Sequence, residues 1–536
     1  MSDEPHVNRV SDFSDLFLWN LTPVESARTG FHMPGHMNAR SFDDEYARRL
    51  LLTDTTELSR TDDLHGPGGP VLHAAESLAK TYGSGQSFFI TTGSTTGIRA
   101  MMAAVAHEKT FFLLPRAVHV SVLYTLVILG ASYAFFPATI DNKEPSEPIR
   151  RITPEDVRAG LSLYPQTTDV LLVSPDYYGC CADLAAIASV VHDAGARLLV
   201  DEAHGAHLRF CPAGGPQDAM SSGADISVMS LHKTLPALTM SSILHVSSAA
   251  ITCGRVDPEA ILAMLRVFET SSPSFLIAAS SEYAVAWARE DGQQRIADVI
   301  KEKIRFLRCI SQSAKLSRLV QANDGDYVEV DPQKDPLRMV LRLRDDAPTG
   351  IAIGKALEHE GVDIEMADLR RLVLILSPWH RRADFDNLQE ALETVAEKIW
   401  CRSGVPDTLI AQETVSEMTI SADETFTLRQ DIIAVEEIMR RCLADSPEAA
   451  EDVRAAFFSK SKDRIFLIDS EGRIAGDPVV PYPPGVPLLW PGERIGSEHI
   501  ACITNLLAQG ITVAGIKEER ISVLSCENAN GTKGFA

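Results

Sequence analysis

The sequence predicts an α/β protein. Its large domain is expected to hold a mostly parallel, seven-stranded sheet with covering helices, followed by a small α/β domain and a carboxyl-terminal α+β domain. Three observations carry the reading of the large domain. Ala196-Arg-Leu-Leu-Val-Asp201 is an apolar run ending in an acid, as strands buried on both faces read. Gln86-Ser-Phe-Phe-Ile-Thr-Thr-Gly-Ser-Thr-Thr-Gly97 passes from a strand through a hydroxyl-rich glycine turn into a helical run. Strand-like and helix-like runs alternate from about residue 61 to 310, the pattern of parallel strands joined by crossover helices.

In chain order, residues 1–60 form an amino-terminal segment with an amphipathic piece at 15–20 and a turn at Pro34-Gly35. Residues 61–317 form the large domain, with strands expected at 87–91, 110–114, 132–137, 170–173, 197–201, 225–230 and 242–246. Helices are expected at 71–82, 97–107 and 184–194, the last with Gly195 behind it as a stop. The pattern loosens over 247–260, and helices resume at 260–269, 275–289 and 293–317. Residues 318–403 read as the small domain, with strands at 327–330, 337–343 and 372–376 and helices at 351–359 and 385–400. Residues 404–536 form the carboxyl-terminal domain, with helices at 427–443 and 448–458, a proline-rich turn at 481–487, and a mobile tail at 528–536.

A chain of 536 residues exceeds one simple core, so two or three domains are expected. The composition, 45% hydrophobic and 23% charged, is that of a soluble globular enzyme. A net charge of −23 argues against nucleic acid, which needs a basic footprint, and favours cationic small molecules. Nine cysteines without CxxC spacing read as reduced thiols of the cytoplasm. The first residues lack a leader's basic and apolar regions, and no run reaches the ~20 apolar residues of a membrane span. Neither a membrane nor a nucleic acid is therefore expected as a partner.

Lys233 follows the strand-like run 225–230 and enters a Leu/Pro/Ala turn with no nearby charge in sequence. Burial lowers a lysine pKa, and a neutral amine condenses with an aldehyde, so this lysine fits a pyridoxal phosphate (PLP) Schiff base. A surface lysine after a strand fits the same spacing. Three other stretches favour the first reading. Asp201 ends a strand, where ligands of open α/β sheets sit, and could hold a pyridine nitrogen; a helix cap or a metal ligand is the alternative. The turn at Gly93, Ser94 and Thr95 opens a helix whose N-terminus suits a phosphate. In Arg116-Ala-Val-His119, the histidine offers a ring to stack on a cofactor, or is an ordinary structural residue.

In this order the stretches resemble fold-type-I PLP enzymes, specifically the bacterial ornithine/lysine/arginine decarboxylases. The resemblance runs through His32-Met-Pro-Gly-His36, Asp62-Asp-Leu-His-Gly-Pro-Gly-Gly-Pro70, Val200-Asp-Glu-Ala-His-Gly-Ala-His207 and Ser230-Leu-His-Lys-Thr-Leu-Pro-Ala-Leu238. It continues through Thr270-Ser-Ser-Pro-Ser-Phe275 to Tyr482-Pro-Pro-Gly-Val-Pro-Leu-Leu-Trp-Pro-Gly-Glu493. It implies the short class, without the larger members' extra amino-terminal domain. It further implies PLP on Lys233, Asp201 at the pyridinium, His119 on the ring face, and Gly93, Ser94, Thr95, Ser230 and His232 at the phosphate. His204 would sit by the ring's 3-oxygen, or be a hydrogen-bonded core residue. Thr270 or Ser271 of the partner subunit would complete the phosphate site, making a homodimer the minimum. No metal is expected.

The activity implied is decarboxylation of arginine, lysine or ornithine to the amine and carbon dioxide. Glu493 is the expected grip for the basic side chain, against the alternative of a solvated surface glutamate. The proton donor to Cα is Lys233 or a nearby histidine. Met240, where many members carry glutamine, and the Cys180-Cys181 pair depart from the pattern. Transamination, oxidative deamination or aldol-type cleavage on the same scaffold is the second reading, and a non-catalytic regulator the third.

Overall fold

A computed structural model describes residues 29–32, 43–45, 47–48, 54–57, 61–137, 149, 151–321, 331–400, 441–442, 450–482 and 485–525. The amphipathic piece at 15–20, the Pro34-Gly35 turn, the strand at 327–330, almost all of the helix at 427–443 and the tail at 528–536 lie outside them.

A short strand β1 (Thr29–Phe31) precedes the large sheet. That sheet contains β2 (Gln86–Ile90), β3 (Phe111–Leu114), β4 (Ser132–Phe135), β5 (Asp169–Val173), β6 (Arg197–Asp201), β7 (Ile226–Ser230) and β8 (Ser242–Val246), in the order β2-β8-β7-β6-β5-β3-β4. All seven expected strands are present. Neighbours run parallel except for β8, which is antiparallel to both β2 and β7. The chain between β7 and β8 therefore returns directly, without a crossover. Ser230 faces Ser242 across the pair, and the Leu231 N–H donates to the Ser241 carbonyl at 3.0 Å.

The helix Ser94–Val105 lies against this sheet. A Cβ at Gly97 would sit 2.6 Å from Val228 Cγ1 and 2.7 Å from Ile90 Cδ1, so only glycine lets the helix start this close to the strands. The expected loosening at 247–260 is a break between two helices, Ser248–Thr252 and Pro258–Phe268. Ser247 caps the first and Asp257 the second, which has Pro258 in its first turn. The run 293–317 ends earlier than expected, as the helix Gln293–Gln312 followed by a turn at Leu316–Arg318.

The small domain is an antiparallel sheet of β9 (Val320–Gln321), β10 (Arg338–Leu343), β12 (Met366–Ala367) and β13 (Arg371–Ile375), in the order β12-β13-β10-β9. Strand β11 (Val362–Ile364) pairs with β1 instead. The helices Gly350–His359 and Arg382–Trp400 complete the domain. One buried cluster joins Leu231 and Leu235, beside the lysine, to Leu337, Met339 and Leu341 of the small domain, so the two share a core.

In the carboxyl-terminal region β14 (Lys462–Phe466), β17 (Ile516–Lys517) and β18 (Arg520–Leu524) form an antiparallel sheet, and β15 (Val480–Tyr482) pairs with β16 (Thr512–Ala514). The helix Ser497–Ala508 covers this region's own core. Trp490 leaves that core and is fully buried in the large domain's cluster. Among the described residues, no helix is long and apolar enough to cross a membrane.

Candidate active site

The carboxyl ends of β6 and β7 bring Asp201 and the Lys233 turn together, since the two strands are adjacent and Asp201 pairs with Val228. Lys233 closes a one-turn helix, Leu231–Lys233, directly after β7. Burial brings its pKa down from the usual lysine value to about 8, while the Asp201 charge opposes the shift. Asp201 is itself buried, which raises its carboxyl; the lysine charge and the Ala203 N–H, at 3.1 Å, hold it back.

His204 stands between two cations. Its Nε2 lies 2.9 Å from Lys233 Nζ, and its Nδ1 lies 2.8 Å from Arg338 Nη2. Burial, then the lysine and arginine charges, push its pKa well down, so the ring is neutral. Tyr177 packs edge-on against it at 5.1 Å and donates to Glu365 at 2.5 Å. The sequence reading assigned no role to Arg338. It lies 134 positions from His204, a separation at which no local pattern could reveal the contact.

His119 caps the helix Val120–Leu129, with its Nδ1 taking the Ser121 N–H at 3.2 Å and the Ser121 hydroxyl at 2.8 Å. Burial and the charge of Lys233 lower its pKa to about 4, so it too is neutral. His232 donates from Nδ1 to the Ser241 carbonyl at 3.0 Å, across the base of the lysine loop.

At the other end, Gly93 has φ +87°, and its added Cβ would meet nothing within 4 Å. No side chain caps the helix it opens, leaving its first N–H groups for a ligand. Ser94 and Thr95 are half-buried in that first turn. The Ser230 hydroxyl is buried with no hydrogen-bond partner among the described residues. Glu269, which the sequence reading passed over, anchors this loop. It accepts from the Thr91 N–H at 2.7 Å and the Thr92 hydroxyl at 3.1 Å, and its other oxygen lies 2.9 Å from His65 Nε2. The following residues, Thr270 and Ser271, are exposed on this chain. Open helix terminus, orphaned hydroxyl, weakly basic lysine and buried acid match the phosphate, aldehyde and ring nitrogen of PLP.

Glu493 is buried against the large domain. It is 3% exposed, so it is not a solvated glutamate, and its Oε2 takes the Arg116 Nη2 at 2.8 Å and the Trp490 N–H at 2.7 Å. Such a carboxylate braces the protein from within. Met240 lies half-exposed in the turn before β8 with φ +73°. Cys180 and Cys181 lie in a loop that meets the small domain, where the Cys181 N–H donates to the Gln333 carbonyl at 2.9 Å.

Residues 17–384 match the model of the Orn/Lys/Arg decarboxylase major domain, and 435–513 that of the family's C-terminal domain. The chain is similar to an arginine decarboxylase of Bacillus subtilis, 29% identical over 508 residues covering 92% of this chain and 94% of the relative. The fold resembles that of a Francisella novicida lysine decarboxylase, with TM-score 0.72 and 19% identity over 91% of this chain and 76% of the other. It also resembles serine palmitoyltransferase with its PLP internal aldimine, with TM-score 0.51 and 16% identity over 69% of this chain and 88% of the other. The architecture is thus that of fold-type-I PLP enzymes, and the chain belongs to the Orn/Lys/Arg decarboxylase family.

Proposed function

We propose that this protein is a PLP-dependent decarboxylase of a basic amino acid, with arginine first among arginine, lysine and ornithine. One observation carries the cofactor assignment: a lysine amine of pKa about 8 beside a buried aspartate, in a family of decarboxylases. PLP, when bound, supplies the electron sink that accepts the pair left by departing carbon dioxide. Lys233 supplies the amine that holds it. Asp201 offers negative charge to the ring nitrogen, and neutral His119 offers a flat face without competing charge. Gly93, Ser94, Thr95 and Ser230 receive the phosphate, with His232 beside the lysine and Thr270 or Ser271 of the partner subunit reaching in from across a homodimer. His204, hydrogen-bonded to Lys233 at 2.9 Å, orients that amine.

The arginine preference is supported by the name of the Bacillus subtilis relative. Beside Glu493, which Arg116 engages, Glu365, which accepts the Tyr177 hydroxyl and whose charge is felt at Lys233, is a second carboxylate for the substrate's cationic end. The test is incubation with arginine, lysine and ornithine, scoring carbon dioxide and amine by mass spectrometry. A keto acid or an aldehyde as product would replace decarboxylation with another PLP reaction. A colourless protein that borohydride fails to label at Lys233 would remove the cofactor assignment.

A further inference from the structure

We infer that Arg338 is a positioning residue that fixes the tautomer of His204 and so requires Lys233 to sit in the pocket as a neutral amine. A guanidinium has only N–H donors and is not deprotonated in proteins. Arg338 Nη2 lies 2.8 Å from His204 Nδ1, so Nδ1 must accept and carries no proton. A neutral imidazole then bears its proton on Nε2. That nitrogen lies 2.9 Å from Lys233 Nζ, so Nε2–H must donate to the lysine. An ammonium has three donors and no lone pair, whereas an amine has one lone pair. The chain from Arg338 through His204 to Lys233 therefore runs in one direction and closes only on the uncharged lysine. Protonating His204, or charging Lys233 and reversing the imidazole, would set an N–H against the guanidinium at 2.8 Å.

The arginine is built to hold that position. It is 4% exposed and opens β10, where its N–H donates to the Asp335 carbonyl at 3.1 Å and its own carbonyl accepts from Lys303 Nζ at 3.2 Å. Its Nε and Nη1 have no hydrogen-bond partner among the described residues. Asp335, the nearby acid, accepts from His207 at 2.6 Å and from the Leu337 N–H at 2.8 Å. The charged and titratable groups facing Lys233 are Asp201, Arg338, Glu365, His204 and His119, and those facing His204 are Lys233, Arg338, His119 and His232. Of these, Arg338 and Lys233 are the two that hydrogen-bond to the His204 ring nitrogens.

The hydrogen-bond chain stands without any cofactor; its consequence for PLP uptake rests on the function proposed above. The test accordingly has two arms. Nitrogen NMR of the cofactor-free, histidine-labelled protein reads the tautomer, and the expected result is a neutral His204 protonated at Nε2. A proton on Nδ1 would overturn the inference, whatever the protein catalyses. The second arm follows PLP uptake by absorbance, with borohydride trapping at Lys233, from pH 6 to 10. Wild type should rise to a plateau through about pH 8. Arg338→Met should move the profile up by about one unit, a roughly ten-fold slower uptake at pH 7. Arg338→Gln keeps an N–H donor without the charge and should restore part of the shift. An unmoved profile in a folded Arg338→Met protein, or no difference between the Met and Gln variants, would refute the positioning role. Absence of trapping at any pH in wild type would instead refute the cofactor assignment, leaving the NMR arm decisive here.

Discussion

Two buried arginines tie outlying domains to the large sheet, and they end on different partners. Arg116, 3% exposed, meets the carboxyl-terminal region; its Nη2 donates to the Glu493 carboxylate and to the Leu488 carbonyl, with Phe135 and Trp490 rings on its faces. Arg338, 4% exposed, enters from the small domain and ends on a neutral imidazole. A buried cation bonded to an acid is neutralised and braces the fold. One aimed at a neutral base keeps its charge and biases the protonation of whatever lies beyond. The difference separates a seam that holds the protein together from a seam that sets its chemistry.

The largest expected effect lies on the second seam. Lys233→Ala should abolish turnover and the borohydride-trapped label while leaving the melting temperature near that of wild type. A large loss of stability would mean that the lysine also braces the fold. Asp201→Asn should keep much of the cofactor yet lose orders of magnitude in turnover, and an unchanged rate would end its assignment to the ring nitrogen.

On the first seam, Glu493→Gln or Arg116→Met should cost about 3–5 kcal/mol in denaturant unfolding, because removing one partner leaves the other charge buried alone. Turnover of the folded fraction should change little. If Glu493→Gln instead raised KM for basic amino acids at unaltered stability, the brace would be a substrate grip after all. The smallest effect is expected at Glu365→Gln, with KM for the basic substrate rising about ten-fold. Its pH signature has a definite sign. Glu365 favours the charged lysine, so removing its charge should shift the PLP-uptake profile below pH 8, opposite to Arg338→Met.

The large sheet was legible because its strands are unbroken apolar runs that end in the functional residues. The helix Val120–Leu129 was not, since it is apolar on nearly every side and shows no period; it is buried beneath the carboxyl-terminal region. The helix Pro154–Leu163 carried a readable signal, the capping box formed by Thr153 and Asp156. Strands β14 and β18 pair outside the large core, and β14 in particular, as Lys-Asp-Arg-Ile-Phe, reads as polar surface. Lys233, Asp201, His119 and the Gly93 turn stood out because each sits at a strand end or a helix start. Arg338 and Glu269 did not, since each matters through a partner more than a hundred residues away.

The direct return from β7 to β8 leaves the lysine loop without slack. Its base is closed by the Leu231 and His232 bonds to the Ser241 carbonyl, and Ser241 is tied in turn to Ser281 at 2.6 Å. A single residue inserted between 231 and 241 must either bulge out of this closed loop or slip β8 by one position, and a slip turns its side chains over. After such a slip His245, now packed on Tyr82 and bonded to Ser87, faces the opposite side of the sheet. The reach of the amine is thus metered by the length of this loop as well as by its buried Leu231 and Leu235.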